Sequence, residues 1–469
     1  MSQSRTTDSV NFFLDGNFAP VSEERDAQDM EVEGEIPKDL RGNFLRVGPN
    51  PVHIFDESAY HTFDGDGMIH AVEFKRGSAR YRNRFVQTQG FKLEQEKGDW
   101  VYKGMNSMMD PTPSRVPEGA PKSKNLANTA FVYHNETLYA LHEPSQPTVI
   151  RLPKLNTEGP TDFDGRLTHP FTAHPKVDVR SGEMMTFGYS FQSPFVTYSV
   201  ISAAGDLIHS TPITIPKPVF MHDFAVTEKY SLFLDFPITL DIERAIAGGP
   251  ALGFEPEHGS RIGIIPRFGE DADVQWFDVA VGSVVHTANA WDDGDEVILQ
   301  ASRSKTSDIA SAGLDAANLH DTQGQLYEWR LNLKTGAVKE RALSSIYCDF
   351  TRINDEYACH KNRYVYAAVF NEDRPFSFDG IVKFDNETQK TITFFYGNKR
   401  FGGEAVFAPK IGAKSEDDGY LICFVQDEIA KQSECLIIDA QHLSAGPIAK
   451  ILIPFRVPYG FHAAWIAEA

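Results

Sequence analysis

The chain has 469 residues and a formal net charge of -20, with 41% hydrophobic residues and 34 phenylalanines. That length allows two or three average domains or one large all-β fold, and the acidic balance excludes a nucleic-acid binder or a broadly basic membrane footprint. Four cysteines (Cys348, Cys359, Cys423, Cys435) form no CxxC pair, which fits free thiols in a reducing compartment.

The N-terminus, MSQSRTTDSVNFFLDGNFAPV, lacks the charged, apolar and small-residue succession of a signal peptide. No run approaches about 18 uninterrupted apolar residues. A cytoplasmic location is expected. From residue 40 onward the signals are those of strands. FVYHNETLYALHE carries two β-rich runs around Asn135-Glu136, a hairpin pattern. The same reading applies to MMTFGYS and to VTYSVISAAGDLIHSTPITI, with a turn at Ala204-Gly205-Asp206. It continues through YSLFLDFPI, DEVILQASR, LYEWRLNLKTGAVKERAL, RYVYAAVF, GIVKFDNETQKTITFFYG, GYLICFVQD and CLIIDA. Helical patterning is scarce and confined to short stretches near 105–118 and 241–247. No linker divides the chain, so one domain over 1–469 is expected, with 1–30 as an N-terminal extension. Many short strands of this kind point to a closed all-β architecture, and at this length to a seven-bladed β-propeller of about 67 residues per blade.

Four histidines stand in apolar or aromatic runs: His174 in TAHPKVD, His222 in FMHDFAV, His286 in VVHTANAW and His462 in YGFHAAW. A charged imidazole is costly to bury there without a partner. Four neutral imidazoles meeting at one point would bind a divalent transition metal, iron among the candidates. Each histidine alone is also compatible with a hydrogen-bonded core residue, because no pair has helical ligand spacing such as HExxH. The first three are 48 and 64 residues apart; the last follows 176 residues on (462 − 286). Those gaps resemble roughly one, one and three blades, and the spacing alone would not distinguish a propeller from another large barrel. FDGDG (63–67) lacks the later glutamate of a calcium loop and reads better as a tight glycine turn. No nucleotide-binding glycine motif or nucleophile elbow occurs.

The chain resembles the carotenoid cleavage oxygenases from GEIPKDLRGNFLRVGPNP (35–52) to VPYGFHAAW (457–465), through YHTFDGDGMIHAV, ANTAFVYHNETLYALHE, FTAHPKVDVRSGEMMTFGYS, MHDFAVTEKYSLFLDFP and FGGEAVFAPK. The stretches FTAHPKVD, LYEWRLNLKTG and DFTRINDEY look most like the plant cytosolic enzymes that cut at a 9,10 double bond. The resemblance implies a seven-bladed propeller with a helical and loop cap over the active-site face. It implies Fe(2+) held by His174, His222, His286 and His462, and O2 as co-substrate in splitting an alkene into two carbonyls. It also implies carboxylates behind three of the rings, in the pairings Glu143–His222, Asp349–His286 and Glu404–His462, with His174 left without one. Much of the family has glutamate where Asp349 stands, and the plant-like branch often has aspartate.

Tyr60, Phe171, Phe224 and Phe350 neighbour these segments and are candidate substrate contacts; each is equally compatible with ordinary core. The stilbene-cleaving branch typically has a phenol-binding lysine where this chain has His142. That difference favours a carotenoid or apocarotenoid, with stilbenoid and isoeugenol-like alkenes as the second reading. Isomerisation or hydrolysis of retinoid esters and a non-catalytic platform are further alternatives. VYKGMNSMMDPTPSRVP (101–117) reads either as an apolar mouth making peripheral contact with a membrane or as a plain surface loop. Oligomeric state is left open.

Overall fold

The computed structural model describes residues 11–247, 249–311 and 318–468. It is predominantly β, as the strand signals predict. Asn135 and Glu136, both at positive φ (45° and 57°), join the strands Ala130–His134 and Thr137–Leu141 in the left-handed turn that two-residue hairpins favour. Gly205 (φ +91°) sits in the turn between Val196–Ile201 and Leu207–Ile213.

The strands form antiparallel sheets that follow one another along the chain. In order they span residues 130–160, 176–213, 225–279, 283–352, 348–395 and 400–453. The fourth and fifth share the long strand Val338–Arg352. The last sheet joins the two ends of the chain. Its C-terminal strand Ala463–Ala467 pairs with Gly42–Pro49, which pairs in turn with Gly67–Lys75 and Ser78–Phe85. Val32–Gly34 extends the 400–453 sheet by pairing with Pro447–Ile453. A separate ribbon pairs Ile238–Leu240 with Leu252–Phe254.

Hydrophobic faces pack between consecutive sheets. Leu141 meets Met184 and Ile201; Phe187 and Tyr198 meet Phe224 and Phe233; Leu232 and Ile262 meet Leu299 and Trp329. Leu326 meets Val365 and Phe384, Ile381 meets Phe407 and Leu421, and Phe44 and Val72 meet Ile422 and Ile437. The sheet built from both chain ends then packs Leu45 and Ile69 on Leu138 and Ile150 of the first. Each sheet therefore buries both faces, and removing one would expose apolar area on two neighbours.

Helix is sparse, with two differences from the sequence reading. Ile242–Ile246 is helical, capped by the Asp241 side chain. The 105–118 stretch is not a helix: a single 3-10 turn at Met105–Ser107 precedes Pro111, Pro113 and Pro117, whose missing N–H groups prevent propagation. The longest described helix, Gln89–Lys97, is capped by Thr88 and closed by Gly98 at φ +65°; its weakly amphipathic sequence had given no signal. No described helix is long and apolar enough to cross a membrane.

Candidate metal centre

Each of the four histidines stands at the edge strand of a different sheet, or just before it. His174 precedes Lys176–Val177, His222 precedes Ala225–Val226, His286 lies within Ser283–Asp293, and His462 precedes Ala463–Ala467. Local backbone features aim them. The pairing register of His286's strand breaks between Val284 and Thr287, and such a bulge redirects the side chain it carries. The His462 segment is seated by a close backbone approach: a Cβ on Gly48 would lie 2.5 Å from the Gly460 Cα. Phe461 N–H donates to Val47 O (2.9 Å) and His462 N–H to Thr129 O (3.1 Å).

The structure brings these rings together. One nitrogen from each lies within 4.8 Å of the others. His222 Nε2 is 2.9 Å from His174 Nε2 and 3.2 Å from His286 Nε2, and the His462 ring stands 4.4 Å from that of His174. The three acids lie behind the rings in the expected pairings. Glu143 Oε1 abuts His222 Nδ1; Asp349 Oδ1 accepts from His286 Nδ1 at 2.9 Å; Glu404 Oε1 accepts from His462 Nδ1 at 3.1 Å. With Nδ1 donating outward, Nε2 presents its lone pair inward. Among the described residues, each of the seven successive sheets, the ribbon apart, carries one of these seven residues on a strand or in the connection beside it. Asp349 sits where register shifts again, before Arg352, beside Phe350 at φ 51°.

Inward lone pairs at these distances repel unless a proton or a cation lies among them. On two of the rings a proton is disfavoured: burial and the other three rings drive His174 well below the ordinary histidine range. Burial lowers His462 to about 4 despite Glu404. Burial opposes the charged form of His286 too, but Asp349, Asp223 and Glu404 together carry its pKa upward. Among the described residues this is the one grouping with metal-ligand geometry. An all-imidazole donor set suits iron, zinc, copper or nickel.

The cluster opens on a cavity of about 770 Å3 whose walls include His222, His286 and His462 with Phe55, Phe63, Met105, Phe220 and Leu240. Of the candidate substrate contacts, Tyr60, His142 and Phe350 line it. Phe350 stacks on His286 with ring centres 5.0 Å apart. Phe171 and Phe224 do not line it, which corrects their assignment: Phe171 stacks on Phe163, and Phe224 packs on Phe187 and Phe233. Both are core between sheets. Burial lowers His142 to about 4; its Nδ1 meets Leu126 N–H at 3.4 Å and Ser145 Oγ at 3.0 Å. The FDGDG acids are engaged by the chain itself. Asp64 accepts from Met105 N–H at 2.9 Å, and Asp66 pairs with Lys124 at 2.5 Å.

Two participants were not anticipated. Tyr189, at the end of Met184–Tyr189, donates to Glu143 Oε2, and Phe220 stacks on His222 (5.4 Å, 18°). Both lie inside motifs of the sequence, Tyr189 in MMTFGYS and Phe220 in FMHDFAV, but nothing in those runs marks them apart from ordinary core.

Residues 18–467 match the family model described as retinal pigment epithelial membrane protein. The chain is 40% identical to the carotenoid 9,10(9',10')-cleavage dioxygenase of Crocus sativus, across 97% of this chain and 89% of that one. It is 30% identical to an isoeugenol monooxygenase of Pseudomonas putida, across 96% and 97%. Among solved structures, a Pseudomonas brassicacearum lignostilbene dioxygenase superposes with a TM-score of 0.90 at 28% identity, covering 99% of this chain and 100% of that one. A cobalt-substituted Synechocystis apocarotenoid oxygenase superposes with a TM-score of 0.83 at 29% identity, covering 96% and 97%. The chain belongs to the family of carotenoid cleavage oxygenases and is an enzyme of oxidative alkene cleavage.

Proposed function

We propose that this enzyme holds Fe(2+) on His174, His222, His286 and His462 and uses O2 to cleave one double bond of a carotenoid or apocarotenoid, giving two carbonyl products. The observation that carries this reading is the four-imidazole cluster set in the wall of a mostly apolar cavity of about 770 Å3. The reading takes residues 1–469 as one seven-bladed propeller domain, with 1–30 as an N-terminal extension of which 1–10 lie outside the described residues, capped by the connections around Gln89–Lys97 and Ile238–Phe254. Support comes from the succession of sheets and the core shared between the last sheet and the first. The four cysteines, all free and buried, support a cytoplasmic location.

Bound iron would supply a redox-active centre for O2. The chain's own residues do the rest. Glu143, Asp349 and Glu404 keep the Nδ1 protons outward and the rings in one orientation. Phe350 and Phe220 cover the faces of His286 and His222 against water. The aromatic walls fix which double bond reaches the cluster, since positioning decides the reacting bond in so apolar a site.

Carotenoid-cleaving relatives are the more similar in sequence, which favours a polyene. His142 supports a second reading. Its Nδ1 contacts leave Nε2 available to a phenol on a stilbenoid or isoeugenol-like alkene. Peripheral contact with a membrane belongs to the first reading, supported by the exposed Met108 and Met109 beside the cavity.

The test is incubation of iron-loaded protein in air with an apocarotenal and, separately, with a hydroxystilbene. Shortened carbonyl products from the polyene are expected. Turnover of the stilbene alone would install the second reading. An unshortened, isomerised chain would overturn both.

A further inference from the structure

Among the described residues, His174 is the one ring of the four with no carboxylate behind it, and the structure shows another way in which its segment is held. Asp223, next in sequence to His222, is 3% exposed and touches none of the four rings through a hydrogen bond. Its Oδ2 accepts from Thr287 N–H (2.8 Å) and Thr287 Oγ1–H (2.8 Å), immediately after His286. Its Oδ1 accepts from its neighbour Phe224 N–H (2.7 Å) and pairs with Lys176 Nζ (2.7 Å), two residues after His174. One buried carboxylate therefore ties together the segments of three metal-ligand candidates, which stand on three different sheets.

Thr172 adds a lighter tie. Its hydroxyl accepts from His174 N–H at 3.0 Å and lies 3.5 Å from His222 O.

We propose that Asp223 is a positioning residue of the metal centre: through Lys176 and Thr287 it fixes the relative placement of His174, His222 and His286. The physical reason is that a charged acceptor serving several donors is stiffer than a set of separate neutral bonds. Apolar packing between the three sheets is non-directional. Other polar ties join them, such as Arg267 with Asp178 and Glu183 and Thr227 with Asp292; Asp223 is the one placed directly beside a ligand candidate with partners next to two more. For the His174 segment, this tie takes the place of the acid that the other three rings have.

The inference rests on the four-histidine metal reading, and the test separates the two. Cobalt(II) affinity and the visible absorption of the bound cobalt are measured for wild type, Asp223→Asn, Lys176→Met, Thr287→Val and the Lys176→Met/Thr287→Val pair. The thermal midpoint of each metal-free protein is recorded alongside. Asp223→Asn keeps the shape but cannot accept on both sides. It should weaken cobalt binding at least tenfold and alter the spectrum, with the metal-free midpoint close to wild type.

The two partner variants should each weaken binding severalfold, and their effects should fail to multiply in the pair, because they act through one carboxylate. Wild-type affinity and spectrum in Asp223→Asn would overturn the proposal, as would losses that merely track the midpoint. Should Asp223→Asn not fold, multiplying effects in the partner pair would overturn it by themselves. A wild-type protein that takes up no cobalt would remove the parent reading and this one with it; cobalt uptake with unaffected variants would remove only this one.

Discussion

Replacing Asp349 separates what a carboxylate does for its histidine by shape from what it does by charge. Asp349 Oδ1 accepts both His286 Nδ1–H (2.9 Å) and Phe350 N–H (2.8 Å). In Asp349→Asn the amide oxygen can keep both bonds, and only the negative charge is lost. A hydrogen bond to a charged group contributes about 1.5–3 kcal/mol against about 1 kcal/mol for a neutral one, so the difference is about 1 kcal/mol. At about 1.4 kcal/mol per factor of ten, metal affinity should fall about 5- to 10-fold. Asp349→Ala removes the bond as well, leaving the Nδ1 of His286 without an acceptor and its ring free to rotate or change tautomer. That loss belongs at the upper end of the roughly 10–100-fold range for residues behind a metal ligand. Cobalt or iron titration against a competing chelator, with turnover measured at full metal loading, reads both numbers. Wild-type affinity in the alanine variant, or an asparagine variant weaker than the alanine one, would refute the reasoning.

His286→Ala and His462→Ala should each abolish metal loading and alkene cleavage together; full occupancy with normal turnover in either would contradict the ligand assignment. Chelating the metal should lower the thermal midpoint, because an ion bound only by the folded chain stabilises it by about 4 kcal/mol at a thousandfold excess over its dissociation constant, and an unchanged midpoint would count against a native metal site. Acid sensitivity has a readable contributor outside the cluster. His61 is 2% exposed, and burial lowers it from 6.5 to about 4. The unfolded chain therefore binds a proton there that the folded chain refuses. Its contribution to stability is complete above pH 6.5 and is lost as pH falls toward 4, by about 3 kcal/mol at about 1.4 kcal/mol per unit. Urea unfolding of His61→Phe at pH 7 and pH 4 should show a gap narrower than wild type by about that amount, and an unchanged gap would refute the shift.

Strand alternation and turn chemistry carried most of the fold. The hairpin at Asn135-Glu136 and the turn through Gly205 stand where their residue types require positive φ, and both are local features. The helix Gln89–Lys97 escaped because its residues at helical spacing are mostly polar, and it is held by its caps and by the burial of Phe91 and Glu94. The supposed helix at 105–118 failed for an equally local reason, its three prolines. At the site, histidines in apolar runs were visible as anomalies, whereas their pairing with acids 58 to 79 residues away came from family resemblance. Phe171 and Phe224 show the limit of adjacency. Each is two or three residues from a ligand candidate, yet each points into the packing between sheets. Phe350 differs because its positive φ swings the ring onto His286.

The division of labour among the seven central residues follows from that architecture. A sheet buried on both faces has little freedom to shift, so a residue at its inner edge is held by two cores at once. Setting ligands on four sheets and their acids on three others means that no local segment can form the centre alone. The seam adds a condition, because His462 stands beside the strand Ala463–Ala467, which pairs with Gly42–Pro49 from the other end of the chain. The fourth imidazole arrives only when that pairing has formed. On the proposed four-imidazole reading, metal affinity is therefore a property of the assembled set of sheets, and the register shifts at His286 and Asp349 are the local departures from regular pairing that would turn a structural edge into a binding site.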